Sequence, residues 1–235
     1  EITAMNKTQP PTIYIGMPCY DSVKINTMLS VVKLVKEFTK AGLEWKMDTL
    51  KSPYISNARN GLTCLFLQSG YDYLLFIDSD VEFKPEAVIK MLITKKDVVL
   101  TPYRVKIPED PSSIKYTVSF EDDKKISTLP GDLVEIKQGP AGLMLIHRRV
   151  FEALMKNYPR LKMKNKKDSY LYNFWDTTFD LDKGLWRGED VSFCNLVRES
   201  DFKIYANIKS ETTHHGNFGW KGKFGDSLEI KKDTQ

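Results

Sequence analysis

Along the first hundred residues, hydrophobic positions recur in two rhythms: short unbroken apolar runs, and longer stretches where apolar residues return every three or four positions. The first rhythm belongs to buried strands and the second to amphipathic helices. Residues 12–17 form a β-favouring run that Pro18 is expected to end. Ile25, Met28, Leu29, Val32, Val35 and Phe38 then fall on one helical stripe, and Gly42 is placed to stop that helix. Residues 44–49 read as a second strand. Ser56 is a candidate N-cap for a helix with Ala58, Leu62, Leu65 and Phe66 inward, ended by Gly70. The third strand, Tyr73–Ile77, is apolar throughout, as a strand covered by helices on both faces must be, and it stops at Asp78. Pro85 suits the first turn of a helix holding Val88, Met91 and Leu92, and Val98–Leu100 gives a fourth strand. The series βαβαβαβ predicts a doubly wound α/β domain.

Beyond Tyr103 the alternation fails, because Pro108, Pro111, Pro130 and Gly131 cut the chain into short pieces; loops and a hairpin are expected. Order returns with a strand over residues 141–146 that leads into a helix near Arg148–Asn157. The basic, aromatic stretch over residues 160–186 reads as a mobile surface loop. A helix over Glu189–Glu199 and a strand over residues 203–206 follow, and the Gly-rich tail with His214, His215, Gly216 and Gly219 is expected to be irregular. With no repeat and no linker, residues 1–235 are read as one domain.

Composition narrows the function classes. The chain has 41% hydrophobic residues and a net charge of +4, which excludes disorder and gives nucleic acid no support as a partner. No apolar run is long enough for a transmembrane segment. The cluster Lys162, Lys164, Lys166 and Lys167 is the one feature suited to peripheral membrane contact, and a solvated loop explains it better. Cys19, Cys64 and Cys194 are odd in number and widely spaced, so reduced thiols are expected. The first residues show no basic and apolar leader, and the expected location is the cytoplasm, of a cell or of an infected host.

The chemistry concentrates at Asp78-Ser79-Asp80. In open α/β sheets ligands bind beyond the carboxyl ends of strands, and here two carboxylates arrive at such an end. Two close anions attract a hard cation that also binds phosphate oxygens. The bland alternative is that Asp78 caps a turn and Asp80 is solvated. Asp190 opens a predicted helix, where the terminal partial charge would help keep it ionised, or it is simply part of an acidic first turn. His214 and His215 are adjacent and so point differently.

Asp78-Ser79-Asp80 after an apolar strand, preceded by Ser56-Asn57-Ala58-Arg59-Asn60-Gly61, resembles the nucleotide-sugar half of a GT-A fold glycosyltransferase near family two. Gly139-Pro140-Ala141-Gly142 followed by Leu143 to Ile146 is similar to that family's acceptor-side loop and strand. Gly188-Glu189-Asp190 resembles its Glu-Asp motif, and His214 or His215 its C-terminal metal-binding histidine. The resemblance covers roughly residues 12–216. It implies a Rossmann-like α/β/α sandwich with a mixed central sheet, a donor half over about residues 12–102, and an acceptor half with a metal-ligand tail over about residues 103–220.

The resemblance further implies a metal-dependent transfer of sugar, with inversion, from a nucleoside-diphosphate sugar to a hydroxyl acceptor such as a glycan. A UDP-sugar is the first expectation and a GDP-sugar the next. Asp80 and His214 would ligate Mn²⁺ or Mg²⁺, with Asp78 a weaker ligand and His215 the alternative histidine. Asp190 would be the general base and Glu189 would orient the acceptor. Pro18, Cys19, Tyr20, Asp21, Asp48, Asn57, Arg59, Asp78, Ser79, Gly142 and Trp186 would surround the donor. A stacking role for Tyr20 and a turn around Pro18 stand about even; Arg59 suits an oxyanion or is a solvated helix residue. The loop aromatics Tyr172, Trp175, Phe179 and Trp186 suit sugar stacking or core packing. Two other readings remain: a haloacid-dehalogenase-type phosphatase using Asp78 and Asp80, and a carbohydrate-binding domain without turnover.

Overall fold

The computed structural model describes residues 10–110, 112–122, 126–163 and 171–228. The first part follows the predicted alternation: β1 (Ile13–Cys19), α1 (Ile25–Lys40), β2 (Trp45–Lys51), α2 (Ile55–Ser69), β3 (Tyr73–Ile77), β4 (Val81–Phe83), α3 (Pro85–Ile93) and β5 (Val98–Leu100). The second part runs through β6 (Leu133–Ile136), β7 (Leu143–His147), α4 (Arg148–Asn157), β8 (Thr178–Asp180), β9 (Leu185–Arg187), α5 (Glu189–Glu199), β10 (Ile204–Asn207), β11 (Glu211–His215) and β12 (Gly219–Lys223). Seven strands form one sheet in the order β2-β1-β3-β7-β5-β10-β6. β7 runs antiparallel between β3 and β5, and β6 runs antiparallel at the edge. This is a mixed α/β sheet, so β5 is not the direct neighbour of β3 that a simple doubly wound series would make it.

Apolar clusters fill both faces. Tyr14, Phe66, Leu74, Phe76, Met144 and Phe193 lie in one; Ile15, Leu34, Phe38, Leu75, Ile77, Met91 and Leu145 lie in the other. Successive residues of β3 alternate between the two, which is why Tyr73–Ile77 had to be apolar throughout.

Several sequence expectations are corrected. β1 passes through Pro18, which pairs with Leu50, because beyond Gly16 the strand has a partner on the β2 side alone and a missing N–H is tolerated there. In α1 the buried residues are Thr27, Ser30, Val31, Leu34 and Phe38, whereas Ile25, Met28, Leu29 and Val32 face outward. Ser30 can be buried because its hydroxyl donates to the Asn26 carbonyl and accepts the Phe83 N–H. Ser56 lies inside α2 rather than at its cap, which is Tyr54. Gly70 does end that helix, in the left-handed conformation at φ 79°. In the stretch expected to be a mobile loop, the described residues from 171 onward instead bury Phe174 and Trp175 and form the β8–β9 hairpin. The tail is also ordered, with β11 between β12 and β4. Lys164, Lys166 and Lys167 of the basic cluster lie outside the described residues. The three cysteines are free, as expected.

Candidate functional site

The carboxyl ends of β1, β3 and β5, the start of β7 and the first turn of α5 meet at one end of the sheet. Asp78, directly after β3, carries the centre of the site. Its backbone N–H donates to the Gly142 carbonyl at 2.8 Å, and its carboxylate accepts from Arg59 Nη2 at 2.9 and 3.2 Å and from the Tyr103 hydroxyl at 3.2 Å. Gly142 is required by this approach, since a Cβ there would come within 2.3 Å of Asp78 Oδ2 and 2.4 Å of the Tyr103 oxygen.

Arg59 is only 2% exposed, and its guanidinium also donates through Nε to Glu189 at 3.2 Å. Burial opposes its charge, but Asp78 and then Glu189 outweigh burial and hold its pKa above the usual arginine value. The aromatic rings of Phe76 and Trp175 lie 5.2 and 5.6 Å from its guanidinium carbon. Asn60, next in α2, fixes Trp175 by accepting its backbone N–H at 3.0 Å and donating to its carbonyl at 3.0 Å. The Ala-Arg-Asn segment therefore builds the floor of the site. Arg59 is buried against two carboxylates, which rules out the picture of a solvated helix residue, and its Nη1 is left without a hydrogen-bond partner.

Asp190, second in α5, is half-buried, and its Oδ1 accepts the Val191 N–H at 2.8 Å. Its pKa is raised, first by burial and then by the charge of Glu189. The Val191 N–H at the helix start does pull it down, as expected, but desolvation beside a second carboxylate outweighs that contribution.

Asp80 lies two residues further on, in different surroundings. Its Oδ2 accepts from Lys106 Nζ at 2.5 Å and lies 3.6 Å from His214 Nε2. Burial works to raise its pKa, and the His214 and Lys106 contacts outweigh burial, bringing it to about 2. The pairing of β11 with β4 sets His214 opposite Val81, and the His215 N–H donates to the Asp80 carbonyl at 2.8 Å. His214 Nδ1 lies 2.9 Å from the Arg104 carbonyl, which can only accept, so Nδ1 carries the proton and Nε2 faces Asp80. His215 turns to the other side, with Nε2 2.8 Å from Glu82, so the two histidines do diverge.

A divalent cation is tested against this donor set. Asp80 and His214 are a plausible pair of ligands in chemistry and in ring orientation. The charges do not fit: an ammonium already lies on Asp80, and the second expected carboxylate, Asp78, is held by a buried guanidinium. Among the described residues no group of three His, Cys, Asp or Glu side chains is arranged to hold a metal.

Other expected donor residues have contacts of their own or stand exposed. Tyr20 is 71% exposed, and Asp21 forms an exposed pair with Lys51 at 2.9 Å. Cys19 Sγ donates to the Ser22 carbonyl, and Pro18 is buried. Ser79 engages through its carbonyl, which accepts the Lys24 N–H. Asn57 is exposed. Asp48 lies within β2 rather than at its end and binds the Tyr14 hydroxyl and Lys46. Trp186, on the β8–β9 hairpin, is 71% exposed with Phe179 beside it, ring centres 5.7 Å apart. Tyr103 and Lys106 were missed in the sequence. Their position just past a β5 strand end was the available signal.

No family model matches the sequence, and no curated protein does. Among solved structures, A197 from STIV is similar over 94% of this chain and 95% of its own, with 18% identity and a TM-score of 0.51; the likeness shows a shared fold. A glycosyltransferase involved in the glycosylation of the major capsid of PBCV-1 matches over 69% of this chain and 72% of its own, at 12% identity and TM-score 0.37. A 4-diphosphocytidyl-2C-methyl-D-erythritolsynthase from Anaerococcus prevotii DSM 20548 matches over 81% of this chain and all of its own, at 14% identity and TM-score 0.36. Among the described residues no helix is long and apolar enough to cross a membrane.

Proposed function

We propose that this chain is a glycosyltransferase that moves a sugar from a nucleoside-diphosphate sugar to a hydroxyl acceptor, most readily a glycan, with inversion at the anomeric carbon. The observation that carries the reading is that Arg59 bridges Asp78, at the carboxyl end of β3 and two residues before Asp80, to Glu189, which precedes Asp190 in the first turn of α5. The sequence resemblance to GT-A enzymes near family two supplies the roles, with a UDP-sugar the first donor to test and a GDP-sugar the second.

In this reaction the Asp190 carboxylate accepts the proton of the acceptor hydroxyl. The oxygen attacks the anomeric carbon, the bond from that carbon to the phosphate oxygen breaks, and the nucleoside diphosphate leaves with the electron pair. A raised pKa makes Asp190 a stronger base than an ordinary aspartate. Glu189 orients the acceptor while tied to Arg59. Pro18, Cys19, Tyr20 and Asp21 face the nucleoside, and Trp186 with Phe179 offers an aromatic surface to a sugar ring. A phosphatase would need Asp78 as a free nucleophile, and its contacts with Arg59 and Tyr103 disfavour that role.

A thermal-shift panel of UDP, GDP, CDP, TDP and their sugars tests the reading, since a ligand of the folded state raises stability by mass action. One nucleoside diphosphate and its sugar should stabilise the protein. Stabilisation by inorganic phosphate alone, with none by any nucleotide, would overturn the proposal in favour of a phosphatase.

A further inference from the structure

We propose that Lys106 takes the place a divalent cation would otherwise fill, holding the donor diphosphate from its perch on Asp80, so that nucleotide binding needs no metal. The inference rests on the donor site proposed above and deepens it.

Three observations carry it. The first is position: Lys106 Nζ lies 2.5 Å from Asp80 Oδ2, on the oxygen that also faces His214 at 3.6 Å. An ammonium has three donors in tetrahedral array, so one bond to Asp80 leaves two for phosphate oxygens. Both side chains are 30% exposed, so those donors are within reach of a ligand.

The second is preorganisation. The segment that carries Lys106 is tied down on both sides: Thr212 donates to the Pro102 carbonyl at 3.1 Å, His214 to the Arg104 carbonyl at 2.9 Å, and the Val105 N–H to the Lys115 carbonyl at 2.9 Å. The stem of Lys106 packs by Gly216, where an added Cβ would lie 3.3 Å from its Cδ. A surface lysine in a solvated pair has no such support, and an ordered one binds with less loss of side-chain entropy.

The third is charge. A divalent ion on Asp80 would have to displace the ammonium or lie against it. Lys106 on Asp80, and Arg59 shared between Asp78 and Glu189, already place a cation against each of the two carboxylates that would recruit the ion. During transfer the ammonium keeps its proton; it stabilises the charge that builds on the departing diphosphate and takes no part in proton transfer.

The test is calorimetric titration of UDP and GDP, with CDP and TDP as further probes, in EDTA and again in Mn²⁺. The wild-type protein should bind one nucleoside diphosphate in EDTA, with an affinity that Mn²⁺ changes by less than about threefold. Lys106→Met should weaken binding in EDTA by roughly tenfold to a hundredfold, the worth of a charge-assisted contact. Part of that loss should return in Mn²⁺, because Asp80 is then free for the ion. Lys106→Arg, which keeps the charge, should retain most of the binding and guards against a general folding defect. Wild-type binding that is absent in EDTA and restored by Mn²⁺ would overturn the role of Lys106 and leave the donor site standing. Unchanged binding by Lys106→Met in EDTA would do the same. Binding of no nucleoside diphosphate under either condition would remove the donor site itself.

Discussion

Asp78 and Asp80 are two residues apart and live in different chemical worlds. Asp78 is enclosed by a buried guanidinium, a tyrosine hydroxyl and the bare backbone of Gly142, whereas Asp80 meets a lysine and a histidine at the edge of solvent. The inner carboxylate is tied into the protein, and the outer one, under the proposal above, is where the donor diphosphate would arrive. One sequence motif thus spans two environments, separated by what the neighbouring strands bring to each residue.

Substitutions sharpen that contrast. Arg59→Met should be the most damaging, because it leaves Asp78 and Glu189 without their shared cation; a loss of about 3–5 kcal/mol is expected in urea denaturation. Gly142→Ala drives a methyl group into Asp78 and Tyr103, for a loss of about 1–3 kcal/mol by the same assay. Asp80→Asn gives up the lysine and histidine contacts that hold its pKa at about 2, and should cost about 1–2 kcal/mol at pH 7, still less than Arg59→Met. Tyr103→Phe removes one hydrogen bond to Asp78 and should cost about 1 kcal/mol. An equal loss for Asp80→Asn and Arg59→Met would break the distinction between inner and outer carboxylates.

The smallest effect has the opposite sign. A carboxyl whose folded pKa is raised favours the folded state while protonated, below its unfolded pKa, and loses that contribution as pH rises through the folded value. Ionised Asp190 is therefore a burden at neutral pH. Asp190→Asn should raise the melting temperature at pH 7 by on the order of 2 °C, and the gain should vanish near pH 3. A gain of the same size at both pH values would contradict the burial argument.

The strand and helix alternation of the first hundred residues was legible because β1, β3, β5 and the helices bury largely apolar faces. Where polar residues are buried, the pattern misled: Thr27 and Ser30 face the core of α1 while Ile25, Leu29 and Val32 do not. The mixed sheet was anticipated through the family resemblance, but which strand runs antiparallel was not legible in the pattern, since an apolar run carries no direction. Phe174 and Trp175 looked like loop aromatics because the segment lacks periodicity; Asn60, more than a hundred residues away, is what fixes Trp175. The carboxylates, Asp190 and His214 were readable as motif residues. Lys106 and Tyr103 were not, because their partners come from other strands, although their place after β5 pointed to the same end of the sheet.

The most direct test of the account is release of nucleoside diphosphate from the sugar nucleotide that binds, with water taking the sugar in place of the acceptor hydroxyl, compared between the wild-type protein and Asp190→Asn, with binding of each measured alongside. The account predicts release by the wild type, and in Asp190→Asn unimpaired binding with release slowed by about a hundredfold to ten-thousandfold, the range for loss of a general base. Release at the wild-type rate by Asp190→Asn, with binding intact, would contradict it.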